Sequence, residues 1–222
     1  MKKEKIIIYG KGDLAKLMLY YFHSDSFYEV VAFCVDDSFL DAESFCNLPL
    51  VSLNKIKELY HPKKFKSFVA VGYSNMRNRV FMFDKIKSLG YECVNYISSK
   101  SLIDKSLSLG ENNIILQGTI IEPFVTIRDN NIIWTSCVIC HNTTIGFHNF
   151  IASQSLIGGF SVIKDNCFLG FNSTILQNVT IEDETLVGAK SLVLSNSEKF
   201  SKLIGIPAKK ITNHFKEGII IK

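Results

Sequence analysis

The chain has 222 residues, 47% of them hydrophobic, and 25 Lys+Arg against 21 Asp+Glu give a formal net charge of +4. That is enough apolar material for a core in one large or two small domains, while the charge is too mild and dispersed to point to nucleic acid or an anionic membrane surface. No apolar run approaches the roughly 18 residues of a membrane span, and the four-residue run after the charged start is too short for a signal-peptide core, so a cytoplasmic protein is expected.

In chain order, "EKIIIYGKGDLAKLMLYYF" predicts an apolar strand, a glycine turn and an amphipathic helix, followed by a second strand, "EVVAFCVDDS". The turn, Gly10-x-Gly12-x-x-Ala15, fits a relaxed dinucleotide fingerprint, and Asp36 falls where a ribose-binding acid is expected. A bland α/β turn has much the same appearance. A third strand, "SFVAVGYSNMR", and a helix, "NRVFMFDKIKSLG", complete a Rossmann-like domain over 1–96. No second βαβ half follows, which argues against a nicotinamide redox enzyme and for a domain that holds one nucleotide half.

From Ile97 onward an aliphatic residue occupies every sixth position through Ile103, Leu109 and their successors as far as Val187 and Val193. Compact residues such as Thr119, Cys137, Thr143, Ser155 and Ser161 stand two places before these aliphatics. This is the hexapeptide signature of a parallel β-helix, with three hexapeptides per triangular coil and both slots facing inward, and it predicts an all-β domain over 97–222. Function then sits on corners and outer faces.

The stretch "CVICHNTTIGFHNF" (137–150) has the look of a metal site. In the six-residue register, however, Cys137 faces in and Cys140 faces away, and no second C-x-x-C accompanies them, so no metal is expected. The six cysteines of the chain are scattered through apolar contexts and are expected to be reduced. His141 falls on an outward corner, where a histidine is most often a solvated polar residue.

The stretches "IIIYGKGDLAK", "VDDS", "VAVGYSNMRNRV", "GYECVNYI", "VICHNTTIG", "DNCFLGFNSTILQNVTIEDETLVGAKSLV" and "GIPAKKI" resemble, nearly end to end, the bacterial sialic-acid O-acetyltransferase and bacillosamine-pathway N-acetyltransferase family. The resemblance implies that the β-helix is left-handed and that an acetyl group passes directly from acetyl-CoA to the amine of a nucleotide-linked sugar, in surface glycan (lipopolysaccharide-type) biosynthesis. It implies a homotrimer without a metal. By residue matching, His141 is the general base at a subunit interface, Asn142 stands beside it, and the Gly159 N–H meets the oxyanion. CoA is implied along the outer groove near Gly159, Gly188, Ala189, Lys190, Ile206, Pro207 and Lys209. The nucleotide sugar is implied at Gly10, Gly12, Asp36, Asp37 and Gly72, with Trp134 close to the sugar.

Three residues depart from the family pattern. Asn142 replaces an acid; its amide oxygen accepts an imidazole N–H but brings no charge, so a weaker base is expected, which an amine acceptor tolerates better than a hydroxyl. Trp134 replaces an asparagine near the sugar, and Ser98 replaces a histidine. Two alternatives remain open: an O-acetyltransferase or transferase of another acyl group, and a catalytically silent trimer that binds nucleotide sugar but not CoA.

Overall fold

The computed structural model describes residues 3–221, so Met1 and Lys2 of the charged start and Lys222 lie outside the described residues. By contacts the chain divides into two units, one made of residues up to Gly72 with Phe81–Tyr96, the other of Tyr73–Val80 with the chain from Ile97.

The first unit is an α/β sheet. Strands β1 (Glu4–Tyr9), β2 (Tyr28–Val35), β3 (Ser44–Phe45), β4 (Leu48–Ser52) and β5 (Lys66–Val69) line up in the order β3-β4-β2-β1-β5. All pairs are parallel except the β3–β4 hairpin. Ile6, Ile7 and Ile8 are fully buried, as a strand of a parallel sheet covered on both faces requires. Helix α1 (Asp13–Ser24) buries Ala15, Met18 and Phe22, and the Phe22 ring meets Phe68 edge-on at 4.9 Å and Tyr96 at 5.6 Å. The hairpin is an addition to the three strands read from sequence. Its two-residue turn, Cys46-Asn47, has positive φ at both positions (50° and 62°) and contains no glycine, so the usual Asn-Gly or Asp-Gly signal is missing. A short helix α2 (Ile56–Leu59) and the later part of α3 (Met76–Ser88) complete the unit.

The second unit is a left-handed parallel β-helix. Its two-residue strands recur every six residues and pair with the strand one coil away, as Ile121 pairs with Ile139 and Ile139 with Ile157. Three sheets form the prism. The inward aliphatics from Ile115 to Val193 pack in one apolar column, and the compact residues two places earlier, including Thr119, Thr143, Ser161 and Thr185, are buried beside them.

A third slot completes the repeat. From Asn112 to Lys190 every sixth residue has a left-handed backbone, three places after the inward aliphatic, and that residue turns the chain at each corner. Asparagine tolerates this conformation best after glycine, and Asn112, Asn130, Asn142, Asn166, Asn172 and Asn178 all fall in the slot.

The three outer faces differ. One is covered: Ile114, Ile132, Phe150 and Phe168 point outward yet are buried, with Tyr73 packed at 4.3 Å on Phe150, which stacks on Phe168 at 5.1 Å. A second is mostly polar and carries Ser108, Thr126, Thr144, Val162 and Thr180. The third is largely apolar and open, bearing Leu102, Ile120, Val138, Leu156, Thr174 and Leu192; Leu102 is 68% exposed and Leu156 39%.

Because the column has no slack, removing one inward aliphatic is expected to be felt at full strength. Ile157→Ala should cost about 2–5 kcal/mol in chemical denaturation; a loss below about 1 kcal/mol would mean that the coils collapse around the gap.

Candidate functional site

His141 stands on the corner that follows the open apolar face. The strand Val138–Ile139 carries it there, and the left-handed Asn142 turns the chain immediately afterwards. Its ring is held from two sides. Nδ1 lies 3.1 Å from the Asn142 amide oxygen, and Phe160, one coil on, meets the ring edge-on at 5.1 Å. With an oxygen acceptor at Nδ1, the neutral imidazole carries its proton there and leaves the Nε2 lone pair free.

Gly159 leaves that nitrogen accessible. A Cβ at this position would lie 3.1 Å from Nε2 and 3.0 Å from Cε1. Among the described residues nothing accepts the Gly159 N–H, while its carbonyl is taken by Asn178 at 3.0 Å. His141 and Gly159 thus line the same groove, about 350 Å³ in volume, walled also by Glu122, Cys140, Leu156, Thr174, Leu176 and Gln177. Glu122 accepts the backbone N–H of His141 at 2.8 Å. Burial raises the Cys140 thiol above its usual range, so it is neutral at ordinary pH.

Cys137 is buried in the coil interior, its thiol 3.2 Å from the Ala152 carbonyl, and burial pushes its pKa up to about 11. His148 is half-buried, with Nδ1 2.9 Å from the Asn130 side-chain amide, in an asparagine ladder on another corner. Among the described residues no group of three or more His, Cys, Asp or Glu side chains is placed to hold a metal.

The residues matched to CoA fall elsewhere on the prism. Gly188, Ala189 and Lys190 form the corner that precedes the open apolar face. The strands Ser201–Gly205 and Ala208–Asn213 make an antiparallel hairpin whose turn is Ile206-Pro207. The two pieces meet: the Gly188 N–H donates to the Leu203 carbonyl at 2.8 Å, and a Cβ on Gly188 would sit 2.9 Å from Ile204. Lys190 and Lys209 are exposed and enter no ion pair among the described residues. Trp134 lies in the same corner column as Gly188, three coils earlier, half-buried and 6.0 Å from the Phe150 ring. Within one chain, therefore, His141, Asn142 and Gly159 lie together on one edge of the apolar face, and Trp134, Gly188–Lys190 and the hairpin lie along the other.

In the first unit Gly10, Gly12, Asp36 and Gly72 line a cavity of about 250 Å³ with Lys11, Phe39 and Met82. Gly10 has φ +125°, and a Cβ there would lie 2.8 Å from the Ala70 carbonyl, so only glycine permits this close turn. Gly12 caps α1, and the space over that helix N-terminus is open. Asp36 accepts the Tyr9 hydroxyl at 2.7 Å and pairs with Lys85. Burial first, and then the Asp36 carboxylate, hold Tyr9 protonated. Asp37 does not line the cavity; it accepts hydrogen bonds from Ser52 and Asn54, which lower its pKa and tie the turn after β2 to the end of β4.

Sequence reading missed Glu122 and Leu156 at the groove, Phe160 against the His141 ring, and Lys11 and Tyr9 at the cavity. Glu122 is one coil and one residue from His141, a separation of 19 that only the coil length makes a contact.

The model of the PglD N-terminal domain matches residues 5–83. No curated protein matches the chain. Among solved structures, PerB from Caulobacter crescentus, crystallised with CoA and GDP-perosamine, is 25% identical over 94% of this chain and 97% of its own, with a TM-score of 0.82. The acetyltransferase domain of PglB from Neisseria gonorrhoeae, in complex with acetyl coenzyme A, is 19% identical over 94% and 100%, with a TM-score of 0.83. WeeI from Acinetobacter baumannii is 17% identical over 93% and 99%, with a TM-score of 0.61. The last two are likenesses of fold. The chain has the layout of the bacterial sugar N-acetyltransferases that join such an N-terminal domain to a β-helix.

Gly159→Ala should press a methyl group against the imidazole and lower turnover by at least about tenfold with the fold intact by circular dichroism. Unchanged turnover would show that the Nε2 side of the ring is not where chemistry occurs.

Proposed function

Starting from that two-part architecture, we propose that this chain is a CoA-dependent N-acyltransferase that acetylates the amine of a nucleotide-linked amino sugar for a surface glycan. The observation that carries the proposal is the pairing of a free imidazole Nε2 with a free backbone N–H, at Gly159, in one groove. Nε2 takes the proton as the sugar amine attacks the thioester carbonyl, the Gly159 N–H receives the developing oxyanion, and the tetrahedral intermediate expels CoA thiolate, which leaves as the thiol on protonation. No covalent enzyme intermediate or metal is needed for this sequence.

On this reading acetyl-CoA lies by Gly188, Ala189 and the hairpin turn Ile206-Pro207, with Lys190 and Lys209 near its phosphates. Gly12, at the N-terminus of α1, and the neighbouring Gly10 take the nucleotide, as helix termini take phosphate, with Gly72 leaving the same cavity open and Asp36 turned into it. Asp37 acts indirectly by fixing the turn that carries Asp36. PerB, which was crystallised with CoA and GDP-perosamine, supports a donor and acceptor of these classes.

A homotrimer is what the family resemblance implies, and the outer faces of the β-helix suit such an assembly. The His141 edge and the Gly188 edge flank one open apolar face, and a second copy packed on that face sets one chain's donor corner against another chain's base. Trp134, on the donor edge, then helps to wall the acceptor pocket from the neighbouring copy.

Two outcomes are expected. His141→Asn should cut thiol release by 10²-fold or more with CoA affinity almost unchanged; an effect below about threefold would remove the base assignment. Ile120→Asp, on the apolar face and outside the groove, should yield monomers in sedimentation and lose activity; a wild-type chain that sediments as a monomer would contradict the assembly.

A further inference from the structure

The base in the groove has an uncharged partner. Asn142 orients the His141 ring through its amide oxygen, and nothing at Nδ1 offsets the positive charge that the ring acquires when it takes a proton. The groove does hold a carboxylate, on the preceding coil. Glu122, half-buried, accepts the backbone N–H of His141 at 2.8 Å through Oε2, and it lines the same groove as the imidazole. Of the residues lining that groove, Glu122, Cys140 and His141 are the ones that titrate. Cys140 is neutral at working pH because burial raises its thiol pKa, so among the described residues lining the groove the Glu122 carboxylate is the one charged group besides the imidazole itself; Asn142, Phe160, Gly159 and Gln177 contribute dipoles or apolar surface.

We propose that Glu122 is the positioning and charge-supplying residue for His141, the counter-ion that makes an amide-partnered imidazole basic enough to accept a proton. This rests on the acyltransferase reading only for its purpose, since the electrostatic effect belongs to the free protein. One oxygen of the carboxylate is fixed to the backbone of the very residue whose ring it serves. Carboxylate and ring therefore cannot separate beyond the reach of a single side chain. Coulomb attraction from a carboxylate in the same groove favours imidazolium over imidazole. A carboxylate that stabilises imidazolium raises the imidazole pKa, and removing its charge lowers it. The base then deprotonates at lower pH and is intrinsically weaker.

The test separates charge from scaffolding. Glu122→Gln keeps an oxygen to accept the His141 N–H and removes only the charge. In NMR titration of the substrate-free protein, the His141 ring signal in Glu122→Gln should titrate at lower pH than in the wild type. Adding Asn142→Asp in the same chain, which returns a carboxylate to the other side of the ring, should bring the value back. In the enzymatic assay the acidic limb of kcat/KM should move the same way, with kcat reduced several-fold and the KM for acetyl-CoA unchanged. A Glu122→Gln protein whose His141 titrates as in the wild type would overturn the proposal and leave Glu122 a backbone tie. If the titration shifts as expected while no acceptor yields thiol, the proposal stands and the acyltransferase reading falls.

Discussion

The β-helix depends on one backbone requirement: at every sixth residue the chain must adopt a left-handed conformation to turn a corner. Everything functional in the second unit hangs from that turn. The strands are only two residues long, too short to bury anything alone, and gain stability by stacking the same inward aliphatic coil upon coil. The corners then recur in fixed columns, so residues 18 apart lie in contact. His141, Gly159 and Gln177 form one such column, and Trp134, Ala152, Gly170 and Gly188 form another.

This geometry also accounts for Asn142. It occupies the left-handed slot, with φ +59°, and its side chain reaches the imidazole. Asparagine serves both needs, as a turn residue that tolerates the conformation and as an acceptor that fixes the ring tautomer. Phe160, one coil on in the same column, is held in the same conformation at φ +60°, a costly state for a bulky residue, and 55% of it is exposed. The ring kept there packs edge-on against His141.

The aliphatic register and the compact slot two places before it were legible in the sequence because burial enforces them at nearly every coil. The left-handed slot was less so. Six asparagines mark it, but Phe124, Ser136, Gln154, Glu184 and Lys190 occupy it as well, because stacking against neighbouring coils overrides local preference. The β3–β4 hairpin was hidden for a similar reason, its Cys46-Asn47 turn lacking glycine. The contact of Glu122 with His141 was beyond sequence reading: it needs the coil length and the rotamer of a long side chain together. In the first unit the glycine turn and Asp36 were legible, whereas Tyr9 reads as one more apolar strand residue until its hydroxyl is seen on Asp36. The neighbouring acids have separate partners: Asp36 meets Tyr9 and Lys85, whereas Asp37 meets Ser52 and Asn54.

The most direct test of the account is a turnover screen of the purified protein with acetyl-CoA against UDP-, dTDP- and GDP-linked 3- and 4-amino sugars, reading released CoA thiol and the mass of the sugar product. The account predicts thiol release with one amino sugar and a product acetylated on nitrogen. Binding of nucleotide sugar with no affinity for CoA would contradict it and leave the chain a binding protein with the shape of an enzyme.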